Sequence, residues 1–190
     1  MPLDKKTFIC VASGPSLTDE DCHLIMRTNY PIIAVNNSWR KVPTCDHIYA
    51  GDLTWWRKYH DEVPNTMVKW TSIRTTIKDY PDIQYMPIPA KGPFNSGMRA
   101  ICLAHNLGAE RVLLLGYDCS LANGLHWHGP HIDDLSNPKD SDIEKWHGCF
   151  NQVPDIIGTM SVINCSRYTE LKTFKTNTLE DELWSSSIRL

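Results

Sequence analysis

Short apolar runs alternate along the chain with segments that place hydrophobic residues at helical spacing. The first run, residues 7–12, precedes Thr18 and three acidic residues, a pattern that predicts a buried strand and then a capped helix reaching about Arg27. Strands and helices in this order are typical of βαβ units with parallel strands. We therefore predict an α/β fold in which a mostly parallel central sheet lies between two layers of helices.

The rest of the chain continues this alternation, and we predict one domain over residues 1–190. Gly108 follows an amphipathic segment as a helix C-cap. A polar, histidine-rich stretch at 119–140 is long for a connector, which favours a binding or lid role. Further strands are predicted at 31–35, 47–50, 66–70, 83–86, 111–115 and 161–164, the last closing the sheet, and further helices around 55–59 and at 98–106, 141–160 and 179–184.

Composition narrows the class of protein. A net charge of −3 argues against a dedicated nucleic-acid binder, and no apolar run approaches the roughly 20 residues that cross a bilayer. The seven cysteines are scattered and form no CxxC pair, as in proteins that keep reduced thiols. We therefore expect a cytoplasmic protein without a nucleic-acid or membrane partner, and a homo-oligomer remains open.

The turn after the first strand has the sequence Ser13-Gly14-Pro15-Ser16-Leu17. Glycine lets the backbone approach a phosphate closely, and the following helix presents unpaired N–H groups. Ser13 and Ser16 add hydroxyl donors, although the Gly-Lys-Ser/Thr ending of a P-loop is absent. We predict a Rossmann-like domain whose first turn, through Ser13, Gly14, Pro15 and Ser16, receives a nucleotide phosphate; a plain Gly-Pro turn is the alternative.

Polar residues also follow the next strands, at the same predicted edge of the sheet. Asn36 and Asn37 end the second strand, and their amides are suited to a base or ribose edge. Asp52 ends the third and is suited to a ribose hydroxyl or a magnesium ion. Ser96 and Gly97 open a helix whose N–H groups would serve a second anion. The alternatives are Asx turns for the strand ends and simple N-capping by Ser96.

The 119–140 stretch carries the histidines. His126 and His128 flank one residue, a spacing that places both imidazoles on one side of an extended segment, and His131 follows. This arrangement suits a metal site, a general base or a phosphate-binding cation. Asp118 precedes the stretch and His147 follows it. A solvated surface loop is the alternative.

Taken together, these blocks resemble the short Rossmann-like bacterial sialyltransferases, the related archaeal 6-hydroxymethylpterin pyrophosphokinase-like proteins, and small phage-encoded relatives of both. The resemblance covers most of positions 7–120. It implies nucleotide contacts at Gly14, Ser16, Asn36, Ser96 and Gly97. The residues that carry it are Gly14-Pro15-Ser16-Leu17, Asn36, Ser96-Gly97, Leu107-Gly108 and Gly116-Tyr117-Asp118.

Three departures from the sialyltransferase pattern stand out. Ser13 occupies a position where those enzymes have Asn, and Gly51-Asp52 replaces a second Asn. Where they place a catalytic histidine, just before the last long helix, residues 137–140 have the sequence Asn-Pro-Lys-Asp. The histidines of this chain lie upstream, as in the pyrophosphokinase-like proteins.

Three functions follow as hypotheses. The first is an inverting glycosyltransferase with a nucleotide-sugar donor and a hydroxyl-bearing acceptor, in which His126 or His128 is the base, Asp118 belongs to the catalytic group, and Gly14 and Gly97 N–H groups stabilise the leaving phosphate. It requires no cofactor. The second is a pyrophosphokinase-like enzyme that uses ATP, with Mg²⁺ held by Asp52 or Asp118. The third is a non-catalytic nucleotide-binding or structural protein.

Overall fold

The strands form one sheet in which every observed pairing is parallel. The computed structural model describes residues 6–91, 95–129 and 137–184. The spatial order of the strands is β5-β4-β3-β2-β1-β6-β7-β8. The predicted α/β, Rossmann-like fold class is confirmed. The strands are β1 Thr7–Val11, β2 Ile32–Val35, β3 His47–Tyr49, β4 Val68–Thr71, β5 Gln84–Tyr85, β6 Arg111–Leu115, β7 Ser161–Asn164 and β8 Lys175–Thr176.

Helices connect the strands, and both faces of the sheet are covered. Phe8 and Cys10 of β1 pack in one hydrophobic cluster, and the alternating Ile9 and Val11 pack in a second, because successive strand side chains point to opposite faces. The first cluster includes residues of α4, α5 and α6, and the second includes residues of α1, α2 and α7. The helices are α1 Asp19–Met26, α2 Leu53–Tyr59, α3 Arg74–Asp79, α4 Ser96–Asn106, α5 Asp140–Phe150, α6 Val153–Ile157 and α7 Leu179–Trp184, with 3₁₀ turns at Asn36–Arg40 and His60–Glu62.

The structure corrects several predicted elements. The helix predicted at 141–160 is divided into α5 and α6, and Pro154 lies in the first turn of α6, where its missing N–H is tolerated. The strand predicted to close the sheet, β7, pairs with a further strand, β8. Helix α3 occupies a stretch for which the pattern predicts no element. Short edge elements carry too few buried positions to show a period.

The strand order places a topological switch point between β1 and β6. From β1 the chain builds the sheet outward to β5, then returns across it to β6 on the other side of β1. At such a point the connections leave in opposite directions and open a crevice at the carboxyl ends of the strands. Within the described residues, no helix is long and apolar enough to span a membrane. All seven cysteines are buried, and none forms a disulfide.

Candidate functional site

A cavity of about 470 Å³ lies at this switch point and is called the switch-point cavity below. It brings together residues from the ends of β1, β2, β3 and β6 with the start of α4 and one face of α5. Pro15, Ser16, Asn37 and His128 do not line it, and His131 lies outside the described residues. The predicted site residues that do line it are Ser13, Gly14, Asn36, Asp52, Ser96, Gly97, Asp118 and His126.

Asn36 combines two unusual features at the cavity wall. Its backbone is left-handed, with a φ of 50°, and its side-chain Oδ1 is buried without a hydrogen-bond partner among the described residues. Cys119, with a φ of 52°, is the other described non-glycine residue with positive φ, and it lines the same cavity. Strained backbone and unsatisfied buried acceptors both carry a free-energy cost, and both concentrate at functional sites. Asn36 therefore points to a ligand that donates a hydrogen bond.

Asn37, by contrast, does not line the cavity and bonds another side chain of the protein. Its side chain is buried, and its Oδ1 accepts a 3.0 Å hydrogen bond from the indole Nε1 of Trp55. This bond ties the 3₁₀ turn after β2 to helix α2 and satisfies a buried indole N–H.

The turn after β1 is already occupied by a carboxylate of the protein itself. Both oxygens of Asp118 accept from Ser16, Oδ2 from the backbone N–H at 2.9 Å and Oδ1 from the hydroxyl at 2.5 Å. The Gly14 N–H donates to the Gly116 carbonyl at 2.8 Å. A Cβ at Gly14 would overlap the Asp118 carboxylate, which explains the glycine. The donors predicted to receive a phosphate at Gly14 and Ser16 are therefore used internally.

The buried position of Asp118 changes the pKa of its carboxyl group. Burial raises the pKa of its carboxyl above the ordinary value, and the hydrogen bonds from Ser16 oppose that shift. Only 3% of the residue is exposed, yet it contributes to the cavity wall. A ligand phosphate at the β1 turn would meet this carboxylate.

The start of α4 has backbone donors that no described residue accepts from. Asn95, and not the predicted Ser96, caps the helix, because its Oδ1 accepts from Met98 N at 2.9 Å. The Ser96 hydroxyl accepts from Gly51 N at 3.3 Å. The backbone N–H groups of Ser96 and Gly97 lie in the first turn, where a helix provides no acceptor. These two amides and the positive end of the helix dipole adjoin the cavity.

Asp52 lines the cavity and also caps α2, since its Oδ1 accepts from Thr54 N at 2.7 Å. Asp118, the other predicted Mg²⁺ ligand, uses both oxygens on Ser16. In the part of the chain that the structure describes, no group of three or more His, Cys, Asp or Glu side chains is placed to hold a metal ion. Mg²⁺ is commonly held by one or two carboxylates together with substrate phosphates, so its binding by Asp52 or Asp118 stays a prediction.

The segment that carries the histidines folds back onto the β1 turn. Ser13 Oγ and His126 Nδ1 lie 2.9 Å apart, and the Trp127 backbone N–H donates to the Ser13 carbonyl at 2.9 Å. The His128 ring stacks on His126 with centroids 5.0 Å apart and planes 21° from parallel. Lys41 Nζ lies 5.0 Å from the centroid of the Trp127 ring. His126 lines the cavity, whereas His128 does not line it and stacks on the His126 ring.

One face of α5 supplies cavity residues that the sequence did not indicate. Lys145 Nζ forms a 2.8 Å ion pair with Asp142 one turn earlier. The helical spacing of the α5 residues that line the cavity places them on one face of the helix. The sequence alone does not show that this face is directed toward the edge of the sheet. Aromatic rings complete the wall, and Tyr117 Oη donates to the Gly97 carbonyl at 3.0 Å. The lining residues without a predicted role include Trp55, Tyr117, Asp142, Lys145, Trp146 and Phe150.

Comparison with protein-family models, with curated proteins and with solved structures finds no match for this chain. The resemblance noted in the sequence therefore stays an expectation, and function is inferred from the cavity.

Proposed function

We propose that the protein is a transferase that binds a nucleotide-linked donor, most simply a nucleotide-sugar, in the switch-point cavity. The observation that carries the proposal is Asn36, a cavity-lining residue of positive φ whose buried Oδ1 has no hydrogen-bond partner among the described residues. Crevices at switch points are where open parallel sheets bind ligands. The cavity volume of about 470 Å³ also falls in the ordinary range for small-molecule sites.

The nucleoside portion of the donor belongs beside Asn36 and Asp52. The Asn36 Oδ1 would accept from an exocyclic amino group or a ribose hydroxyl, which would satisfy an atom that is otherwise costly to bury. Asp52 commits one oxygen to its helix cap, which leaves the other for a ribose hydroxyl. Trp55 in the same wall offers an aromatic surface.

This proposal places the phosphate at the start of α4. The Asp118 carboxylate disfavours an anion at the β1 turn, whereas the Ser96 and Gly97 amides favour one. Lys145 also lines the cavity, with its charge paired to Asp142. This assigns the stabilisation of the leaving phosphate to Gly97 and withdraws it from Gly14, whose N–H is bonded to Gly116.

His126 is the base in this proposal. As the bond between the sugar and the donor phosphate breaks, the acceptor oxygen forms a new bond to the sugar carbon and its proton passes to the imidazole of His126. The electron pair of the broken bond leaves with the phosphate. His128 is set aside as the base because it does not line the cavity.

A thermal-shift panel tests the proposal. CMP, CDP, UDP and ATP are each added with and without Mg²⁺ and with EDTA. A ligand at 100 times its Kd stabilises by about 2.7 kcal/mol, which is a rise in Tm of roughly 5–10 °C for a chain of this size. His126→Ala should keep this shift and lose turnover of the matching nucleotide-sugar.

The outcomes separate the hypotheses. A shift with cytidine or uridine nucleotides that survives EDTA supports the glycosyltransferase. A shift with ATP that disappears with EDTA supports diphosphate transfer. No shift with any nucleotide refutes the proposal, and a shift without turnover of any donor leaves a binding protein.

A further inference from the structure

We propose that Thr169 is a positioning residue that holds the peptide group before Asp118 and so keeps the Asp118 carboxylate in the cavity wall. Its importance for ligand binding rests on the proposed function, whereas the positioning itself does not. Thr169 belongs to residues 164–171, called the β7 loop below, which begin at the last residue of β7. The β7 loop does not line the cavity, but it contacts the backbone of a segment that does.

The segment that carries Asp118 has an unusual backbone. Gly116 has a φ of 71° and Cys119 a φ of 52°, so a left-handed residue lies on either side of Tyr117 and Asp118. A strained conformation persists only where the surrounding structure over-determines it. Tyr117, Asp118 and Cys119 all line the cavity, so the shape of the cavity depends on what holds this segment.

The β7 loop holds both peptide groups that flank Asp118. The Tyr117 carbonyl, in the peptide group before Asp118, accepts from Thr169 Oγ1 at 2.7 Å and from Asn164 Nδ2 at 3.3 Å. The Asp118 carbonyl, in the peptide group after it, accepts from Glu170 N at 2.8 Å. The position of Asp118 is therefore fixed from the side of the chain opposite to its carboxylate contacts with the β1 turn.

Each bond of the Thr169 hydroxyl has a direction that its partner sets. A carbonyl only accepts and a backbone N–H only donates, so the hydroxyl gives its proton to the Tyr117 carbonyl and accepts from Leu171 N at 3.0 Å. Asn164 Oδ1 accepts from Ser166 N at 3.0 Å, which fixes the orientation of the amide. Its Nδ2 therefore donates to the Thr169 hydroxyl, also at 3.0 Å. The proton and both lone pairs of this hydroxyl are used.

Valine has nearly the shape of threonine and can make none of these three bonds. Thr169→Val removes the acceptor of Leu171 N and one acceptor of the buried Asn164 amide, which is costly because such donors need partners. The Tyr117 carbonyl also loses its shorter bond. We expect the peptide group before Asp118 to move and the carboxylate to be held less closely.

The Ser16 amide reports the position of this carboxylate, because Ser16 N donates to Asp118 Oδ2 at 2.9 Å. A bond to a carboxylate moves an amide proton resonance downfield, and Asp118→Ala gives the position of the resonance without that bond. We expect Thr169→Val to move the Ser16 resonance toward the Asp118→Ala position. The resonance belongs to the folded protein, so a loss of global stability alone does not move it.

Two further variants control for the substitution. Thr169→Ser keeps the hydroxyl and should leave the Ser16 resonance at its wild-type position. Thr173→Val removes a hydroxyl that donates to Asn151 Oδ1 at the surface and should also leave the resonance unchanged. If Thr169→Val does not fold, Ser166→Ala replaces it, because Ser166 Oγ accepts from Tyr117 N at 2.8 Å.

An unmoved Ser16 resonance in the folded variant, or an equal movement in Thr173→Val, overturns the inference. The same segment reaches the proposed phosphate position, since Tyr117 Oη donates to the Gly97 carbonyl at the start of α4. Because a less rigid wall is less well organised for its ligand, we expect Thr169→Val to raise the Kd of the best nucleotide of the panel by about threefold to tenfold. An unchanged Kd would overturn the role in binding. If no nucleotide binds the wild type, the proposed function fails and the Ser16 resonance still decides the positioning.

Discussion

Two neighbouring asparagines should respond to mutation in opposite ways. Asn36→Gly removes a side chain whose acceptor is buried without a described partner, at a position where φ is 50°. Asn37→Ala removes an acceptor that satisfies the buried indole of Trp55. The residue types are identical and the positions adjacent, so the pair controls for local sequence and for the general effect of losing an amide.

The magnitudes follow from the environment of each side chain. A non-glycine residue in the left-handed region costs about 1 kcal/mol or more, and an unsatisfied buried acceptor about another 1 kcal/mol. Glycine returns roughly 0.5–1 kcal/mol of this through its greater freedom in the unfolded chain. Asn36→Gly should therefore stabilise by about 1 kcal/mol and raise Tm by about 2–4 °C. Asn37→Ala should lose about 2 kcal/mol and lower Tm by about 4–8 °C.

Binding should change in the reverse sense. Asn36→Gly removes the acceptor assigned to the nucleoside, at a loss of about 1.4 kcal/mol, or about tenfold in Kd for the best nucleotide of the panel. Asn37→Ala should bind that nucleotide almost as tightly as the wild type. Calorimetric titration gives the Kd values, and urea unfolding gives the stabilities. If Asn36→Gly both destabilises the fold and binds normally, the assignment of Asn36 to a ligand is wrong.

Three further changes test other parts of the structure. Gly14→Ala should cost about 2–3 kcal/mol in urea unfolding because the new Cβ meets the Asp118 carboxylate, whereas Gly148→Ala, with nothing within 4 Å in a helix, should gain about 0.5–1 kcal/mol. Burial raises the Asp118 pKa above 3.8, so the folded chain binds this proton more tightly than the unfolded one and loses stability as pH rises from that value through the raised pKa. The stability of Asp118→Asn relative to wild type should therefore increase as pH rises above about 4 and become constant beyond the raised pKa. A difference that does not change with pH would contradict this. Arg167 donates hydrogen bonds to both carboxylate oxygens of buried Asp21, and Arg167→Ala removes them. We expect the free energy of unfolding to fall by about 2 kcal/mol, a value already reduced because the arginine is half-exposed. A loss under about 0.5 kcal/mol would show that solvent replaces the pair.

The sequence predicts best those strands that are covered by helices on both faces of the sheet. Strands β6 and β7 begin and end at the predicted residues, because their apolar runs are bounded by turns. The cavity is harder to predict. Asn36 lines the cavity and Asn37 bonds Trp55, and two adjacent residues of the same type do not reveal which will do which. The lining by α5 depends on how that helix packs across the sheet edge, which is a tertiary property.

The Asp118 carboxylate shows that the pairing of two strands reveals a contact that neither sequence motif reveals by itself. The Gly14 turn and the Gly116-Tyr117-Asp118 strand end each look like a ligand site when considered alone. Val11 pairs with Leu115, so the two strands end side by side and Asp118 meets Ser16. Once β1 and β6 are known to be neighbours, two candidate ligand sites become one internal contact.

The fold also explains why a histidine far along the chain lines the cavity beside the β1 turn. Ser13 and the histidines at 126 and 128 are separated by more than half of the chain. In the structure they meet, because the segment after β6 returns to the end of β1 and brings His126 Nδ1 within 2.9 Å of Ser13 Oγ. The bond between the Trp127 N–H and the Ser13 carbonyl does not involve the side chain at position 13. We therefore expect Ser13→Asn to keep the segment in place and to change the free energy of unfolding in urea by less than about 1 kcal/mol. A loss of more than about 2 kcal/mol would show that the contact between the Ser13 hydroxyl and His126 Nδ1 holds the segment.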